Sequence, residues 1–315
     1  MAEIWTMGEM IVEIMRQKPD APLDKADTFI GPFPSGAPAI CIDTVARMGH
    51  SAGIISGVGE DDFGKNLLDR LSGDGVDCSM VLKNKTVSTG CAFVTYFKDG
   101  SRKFIFHIGN TPAAQAKAPA QEEIKGAKFF HIMGCSLMAN ADFGGEIIET
   151  MRRFVKNGAK VSFDPNIRPE LLGDSRCKAY IEEVMQNTSV FLPGVQELLD
   201  ISGEKTVEDA VKKCFENHTL EIIALKNGSK GCRIFTREEE IPFGIYPVQV
   251  QDATGAGDCF DGAFLCALLE NRPLKEAAKR ATAAASLNTA AFGPMEGKIS
   301  VENVEKMIAE NPDVC

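Results

Sequence analysis

No stretch of this sequence approaches the roughly 18 uninterrupted apolar residues that a membrane-spanning helix requires. A Lys/Arg-rich run is also missing and the formal charge is −10, so neither a membrane nor a nucleic acid is an expected partner. That charge does not exclude small phosphorylated ligands, because backbone N–H groups and bound cations hold phosphates locally. The ten cysteines include no C-x-x-C pair. Several sit inside apolar runs, such as Cys91 in CAFVTYF and Cys266 in AFLCALL. Reduced thiols acting as small hydrophobes, and a cytoplasmic location, are expected. The opening segment MAEIWTMGEMIVEIM carries three Glu and no basic residues before its apolar run, so neither a signal peptide nor an anchor is expected there. Repeats, low-complexity tracts and long linkers are lacking too, which points to one domain over residues 1–315.

What is present suits a globular core: 44% of residues are hydrophobic and 25% charged. Apolar runs fit for buried strands occur at residues 4–7, 53–56, 128–133, 160–164, 189–192 and 220–225. Helical patterns lie between them. In FGKNLLDRLSG, Phe63, Leu67, Leu68 and Leu71 share a face and Gly73 is a natural stop. In VEDAVKKCFEN, Val207, Ala210, Val211, Cys214 and Phe215 form one stripe. This alternation predicts an α/β fold with a mainly parallel sheet covered on both faces by helices. Two places break the rhythm. GCAFVTYF and KFIFHI flank Lys98-Asp99-Gly100-Ser101, a hairpin signal, and residues 11–34 lack a helical period. Segments of about 11–34 and 89–110 are therefore expected to form a small antiparallel sheet that projects as a lid or an interface. Decoration without function is the plainer alternative.

The most informative stretch is PVQVQDATGAGDCFDGAFLCALLE, residues 247–270. Val248 and Val250 alternate with Gln249 and Gln251, which predicts a strand. Residues 253–257 are small enough for a tight turn. Beyond Asp258, Phe260, Ala263, Phe264, Ala267 and Leu268 fall at helical spacing. A glycine-rich turn thus opens a helix with a carboxylate in its first turn. Unpartnered amides and the helix dipole make such a place an anion site. A carboxylate beside a phosphate would be repelled as a ligand, so its sensible task is to accept a proton from an attacking hydroxyl. An N-cap aspartate after a glycine turn fits these residues as well.

D-A-T-G-A-G-D-C-F-D-G-A-F resembles the C-terminal signature of the ribokinase-like (PfkB) carbohydrate kinases. The resemblance implies a three-layer α/β/α sandwich with a small β-sheet lid. It makes Asp258 the general base and Gly255, Ala256 and Gly257 the anion hole. Groups at Asp252 and Thr254 would help hold a monovalent cation, K⁺. Other motifs follow in the family's order. Gly8-Glu9 with Val12-Glu13 is similar to the first strand, where Glu13 would contact sugar hydroxyls. Pro34-Ser35-Gly36-Ala37-Pro38-Ala39-Ile40 resembles the G-G-A-P-A-N substrate motif, implicating Gly36 and Ala37, with Ser35 for a Gly and Ile40 for the Asn. Gly57-Val58-Gly59-Glu60-Asp61-Asp62-Phe63-Gly64 resembles the family's G-x-G-x-D-x-F-G. The overlapping GEDDFGKN nearly fits a Walker A loop, but it lacks the final Ser/Thr and puts three carboxylates where phosphates would sit. No G-x-G-x-x-G follows a strand, which removes support for a dinucleotide enzyme.

Asp164-Pro165-Asn166-Ile167-Arg168-Pro169 resembles the ketose and ketodeoxygluconate kinase branches, placing Asn166 and Arg168 near substrate; a Pro-bounded turn is the plainer alternative. Leu192-Pro193-Gly194-Val195-Gln196-Glu197 aligns with P-N-x-x-E, so Glu197 would organise Mg²⁺ through water, with Gly194 in place of the Asn. Lys226-Asn227-Gly228-Ser229-Lys230-Gly231 resembles the K-x-G-x-x-G turn beside the nucleotide, which assigns Lys226, Asn227, Gly228 and Gly231 to ATP. AAASLNTAAFG, ending at Gly293, resembles the small-residue helix near adenine, with Asn288 a candidate contact. His107 is given no catalytic role. The implied activity is ATP- and Mg²⁺-dependent phosphorylation of a sugar hydroxyl. FHIGN, residues 106–110, lacks an Arg that sugar-acid kinases carry nearby, which favours a neutral ketohexose such as fructose or tagatose. The alternatives are 2-keto-3-deoxygluconate, a nucleoside as a third substrate class within the fold and, given Ser35, Ile40 and Gly194, a non-catalytic sensor. A homodimer through the lid is the expected assembly.

Overall fold

The computed structural model describes residues 2–98, 101–168 and 174–314. Asp99 and Gly100 of the expected hairpin turn, and Pro169 of the D-P-N-I-R-P motif, lie outside the described residues. The strands, in chain order, are β1 (Ile4–Met7), β2 (Ile11–Arg16), β3 (Phe29–Ser35), β4 (Ala52–Gly59), β5 (Val81–Asn84), β6 (Gly90–Tyr96) and β7 (Arg102–His107). They continue with β8 (Phe129–Met133), β9 (Lys160–Asp164), β10 (Thr188–Phe191), β11 (Ile222–Lys226), β12 (Cys232–Phe235) and β13 (Glu240–Phe243). The helices are α1 (Ala37–Arg47), α2 (Asp62–Gly73), α3 (Gly134–Ala139), α4 (Ala141–Lys156) and α5 (Arg176–Asn187). After them come α6 (Val195–Ser202), α7 (Val207–Cys214), α8 (Ala256–Leu269), α9 (Leu274–Thr289) and α10 (Val301–Glu310).

The larger sheet runs β13-β12-β11-β10-β9-β8-β1-β4-β5. Every pairing from β11 to β5 is parallel, while β12 and β13 fold back antiparallel at one edge. The expected runs at 4–7 and 160–164 coincide with β1 and β9, and the other four overlap β4, β8, β10 and β11. These runs are apolar throughout because both faces of the sheet are covered. Ile4 joins the layer formed with α1, α2, α8, α9 and α10, whereas Trp5 and Met7 join the layer of α4 to α7. This is the expected α/β/α sandwich.

The small sheet has the order β3-β2-β6-β7. It was expected to be antiparallel, yet β2 and β6 pair in parallel, with antiparallel β3 and β7 outside them. The connectivity explains the difference. β2 follows β1 and β6 follows β5, and β1, β4 and β5 are parallel, so both strands leave the large sheet at the same edge. A second correction concerns residues 247–251, which form no strand. Val250 is 62% exposed, and Pro247 has no N–H to give to a ladder, so the Val/Gln alternation marks no buried face.

Helix α8 is buried over ten of its fourteen residues, Asp258 and Asp261 among them, so each aspartate needs compensation from its surroundings. The alanines of α9 at 277, 278, 281, 283 and 284 are all buried and let that helix lie close to α8. Asp61 caps α2 by accepting from Gly64 N at 2.8 Å and also accepts from Thr89 N at 2.8 Å. The G-x-G-x-D-x-F-G segment thus ties α2 to the approach of the small sheet.

Candidate active site

The carboxyl ends of β1, β8, β9, β10 and β11 all feed loops into one cleft, the usual ligand edge of such a sheet. Its volume is about 310 Å³, and β2, β3 and β7 supply the opposite wall. A larger groove of about 1000 Å³ lies between α5 and α6–α7, but the buried carboxylates converge on the smaller cleft.

Gly255 caps α8 with φ 77°, and a Cβ there would lie 2.5 Å from Pro294 O, so the turn requires glycine. Asp258 follows in the first turn, buried, with Asn166 Nδ2 donating to its Oδ1 at 3.3 Å. Asn166 itself adopts φ 39°, held by its N–H donating to Asp164 Oδ1 at 3.0 Å. Burial pushes the Asp258 carboxyl up to about 7; the Asp164 charge adds to this, while Lys226, Arg168 and Arg102 oppose it. That range suits a group that must exchange a proton near neutral pH.

Lys226, from the end of β11, lies under the turn. Its Nζ is 2.7 Å from Asp164 Oδ2 and 3.1 Å from both oxygens of Asp261. Burial pulls its pKa down, but Asp164, Asp261 and Glu197 together raise it, so it is a fixed ammonium. Burial works against ionised Asp164 as well, yet Lys226 holds that carboxyl below its ordinary range. Asp261 is pushed up, first by burial. A Cβ at Gly257 would be 3.6 Å from Lys226 Nζ, which places the ammonium directly beside the amide turn.

On the opposite wall, Glu13 Oε1 accepts from Ser35 Oγ at 2.7 Å, and no described residue bonds to its buried Oε2. Burial, opposed by the Ser35 bond and aided by Asp252, raises Glu13 to about 7. Glu9 accepts from Ser136 Oγ and from Cys135 Sγ, and burial raises its pKa too. Gly36 has φ 105°, and a Cβ there would meet Glu9 O at 2.5 Å. Ala37 and Ile40 border the cleft beside it. Glu197 Oε2 accepts from Gly194 N at 2.7 Å and Oε1 from Ile167 N at 2.9 Å.

A family description, "pfkB family carbohydrate kinase", matches residues 1–300. The chain belongs to this family. It is an ATP-dependent sugar kinase of ribokinase-like fold. Fructokinase-1 of Oryza sativa subsp. japonica is 31% identical, over 91% of this chain and 92% of the relative. The crystal structure titled "putative Ribokinase II in complex with ATP and Mg+2 from E.coli" is 35% identical, with a TM-score of 0.90 over 98% of this chain and 100% of that one. A fructokinase double mutant from Vibrio cholerae O395, solved with fructose, ADP and potassium ion, shares the fold at 21% identity, with a TM-score of 0.83 over 98% of each chain.

Of the residues singled out in this kinase's sequence, Asp258, Gly255, Gly257, Glu13, Gly36, Ala37, Asn166, Arg168, Glu197, Lys226, Gly228 and Thr254 border the cleft. Others stand elsewhere. Ala256 is the first residue of α8, and Asp252 is buried behind the turn, accepting from Thr254 N at 2.9 Å and Gly293 N at 3.1 Å. Asn227 and Gly231 do not border the cleft but close the β11–β12 turn on each other, Asn227 N donating to Gly231 O at 2.8 Å. A Cβ at Gly231 would sit 2.0 Å from Phe243 O, so packing explains that glycine. The expected adenine contact is corrected as well: Asn288 is fully buried and donates to Thr254 O and Pro294 O.

Sequence reasoning missed Arg102, which enters the cleft from β7 and donates to Thr254 Oγ1 at 3.2 Å. The period-2 pattern of Arg102, Phe104 and Phe106, all on the cleft face, was the available signal. It also missed Asp164 and Asp261 as partners of Lys226. A lone charge three residues after Asp258 in an otherwise apolar helix was the clue to Asp261.

Proposed function

We propose that this kinase phosphorylates a hydroxyl of a ketohexose, fructose before others, using ATP with Mg²⁺ and with Asp258 as the general base. The observation that carries the reading is Asp258 itself: a buried carboxyl raised to about 7, in the first turn of α8, beside amides freed by Gly255. The sugar hydroxyl gives its proton to Asp258 as its oxygen bonds the γ-phosphorus, and the bond to the β-phosphate oxygen breaks, releasing ADP. The Gly255, Gly257 and Asp258 amides and the Lys226 ammonium are read as facing the charge that develops on the transferring group, whereas Ala256 N donates to Ala253 O at 3.4 Å. Asn166 holds the Asp258 carboxylate in place, and Glu13, fixed by Ser35, offers Oε2 to a sugar hydroxyl.

Among the described residues no group of three or more His, Cys, Asp or Glu could hold a metal ion. The donors present fit a magnesium ion brought by the triphosphate and reached through water, since both Glu197 oxygens already accept from amides. Bound there, Mg²⁺ would neutralise phosphate charge. The small sheet is read as the lid that excludes water, because its Glu13 and Arg102 reach the cleft.

One observation favours a second reading, 2-keto-3-deoxygluconate. Arg102 and Arg168 both border the cleft, and neither has a carboxylate partner among the described residues. A sugar acid would supply one. A homodimer through the outer face of the lid is supported by Ile105, 44% exposed there beside half-buried Phe93 and Ile14. No described helix is long and apolar enough to cross a membrane, and the nine described cysteines are free, which supports the cytoplasm. The test is ADP release over a panel of fructose, tagatose and 2-keto-3-deoxygluconate with ATP and Mg²⁺. Fructose should give the highest kcat/KM. A sugar acid at the top would move the assignment to the second reading, and sugar-independent behaviour throughout would refute both.

A further inference from the structure

The signature's resemblance assigns a monovalent cation to Asp252 and Thr254. Such an ion is held by bare oxygen atoms that replace its water shell. Here each of those oxygens already accepts a hydrogen bond, and the unpartnered buried oxygen beside them is Oδ1 of Asn288. Asp252 Oδ1 accepts from Thr254 N at 2.9 Å, and Oδ2 accepts from Gly293 N at 3.1 Å and from the Tyr96 hydroxyl at 3.3 Å. Thr254 Oγ1 accepts from Arg102 Nη1 at 3.2 Å, a guanidinium that would repel a second cation. The Thr254 carbonyl accepts from Asn288 Nδ2 at 2.8 Å, and the same nitrogen donates to Pro294 O at 3.1 Å.

Asn288 lies in the last turn of α9 with no exposed surface. Both atoms facing its nitrogen are carbonyl oxygens, which fixes the amide orientation. Two glycines make room for it. A Cβ at Gly255 would lie 3.1 Å from Nδ2, and one at Gly297 would lie 2.8 Å from Oδ1. The Thr254 carbonyl belongs to the peptide that leads into Gly255, the cap of α8, so whatever grips it sets the direction of the amides beside Asp258.

We propose that Asn288 is a positioning residue whose side-chain amide clamps the 254–258 turn to the 293–294 loop, doing from within the chain what a bound monovalent cation would do there. The inference deepens the proposed function and rests on it for its kinetic readout.

The test compares K⁺, Na⁺ and choline chlorides at equal ionic strength. Wild type should show the same kcat/KM for sugar, and the same Tm, in all three. Asn288→Ala, and the nearly isosteric Asn288→Asp that has no N–H to give, should lose about tenfold or more in kcat in choline, since two buried hydrogen bonds go. K⁺ should restore part of the Asn288→Ala rate and raise its Tm, because two carbonyls are freed. A wild-type enzyme accelerated about fivefold or more by K⁺, beyond the scatter expected of a weak salt effect, would overturn the proposal. So would an Asn288→Ala variant as active and as indifferent to K⁺ as wild type. If Asn288→Ala fails to fold, Asn288→Asp and the wild-type comparison decide alone. Should no sugar yield ADP in any salt, the kinase reading falls by itself. The melting temperatures still judge the clamp: a wild type stabilised by K⁺ contradicts it, and a K⁺ response confined to the variant supports it.

Discussion

Asp258→Asn should make the folded protein more stable at alkaline pH while removing its activity. An ordinary aspartate near 3.8 is raised by burial to about 7 in the folded chain. Between about pH 4 and 7 the folded state therefore keeps a proton that the unfolded chain has released. The stability this contributes is complete below about pH 4 and is lost as pH rises through about 7. The span of roughly three pH units at 1.36 kcal/mol each bounds the loss at about 4 kcal/mol. Relaxation around the charge lowers that figure, so about 2–4 kcal/mol is the expected difference. Asparagine keeps the shape and still accepts from Asn166, but never carries the charge. Guanidinium unfolding of both proteins at pH 5 and pH 8 reads the effect. The variant should gain about 1–2 kcal/mol at pH 5, where the unfolded aspartate is already charged, and about 2–4 kcal/mol at pH 8. Glu13, also raised to about 7, titrates in both proteins and cancels in the comparison. A difference that is the same at the two pH values, or a variant weaker at pH 8, would refute the reasoning.

Ser35→Ala removes the donor that fixes Glu13, a bond to a charged group worth about 1.5–3 kcal/mol, so KM for the sugar should rise about tenfold while KM for ATP stays put. Steady-state kinetics against each substrate separates the two. Lys226→Met leaves Asp164 and Asp261 buried without their cation and should cost about 3–5 kcal/mol in denaturant unfolding. Gly255→Ala forces a side chain into φ 77° and against Pro294 O at 2.5 Å, so kcat should fall about 100-fold with the turn displaced. An alanine variant with normal kcat would show that the turn tolerates rebuilding.

Much of this fold was legible because its strands are buried on both sides. The runs at 4–7 and 160–164 become β1 and β9 with unchanged bounds, since an apolar run in a covered parallel strand has few other uses. The turn at Gly255 was equally plain, for small residues before a helical stripe have a narrow meaning. The misses share a different physics. Residues 247–251 alternate like a strand, but alternation does not say whether a partner strand exists. The parallel pairing of β2 with β6 follows from where β1 and β5 end, a fact of topology rather than of local pattern. Asn288 looked like an adenine contact because its segment resembles the family's small-residue helix, yet its two acceptors are backbone carbonyls 34 and 6 residues away in the chain. Arg102 belongs to the cleft only once β7 is laid beside β6.

The most direct test of the central claim is the rate of ADP formation by Asp258→Asn with fructose, ATP and Mg²⁺, measured beside its nucleotide affinity by calorimetry. Loss of the base should lower kcat about 10³-fold, within the range of general-base effects, and leave ATP binding within about threefold of wild type. A variant that turns over at nearly the normal rate with the carboxylate gone would contradict the account.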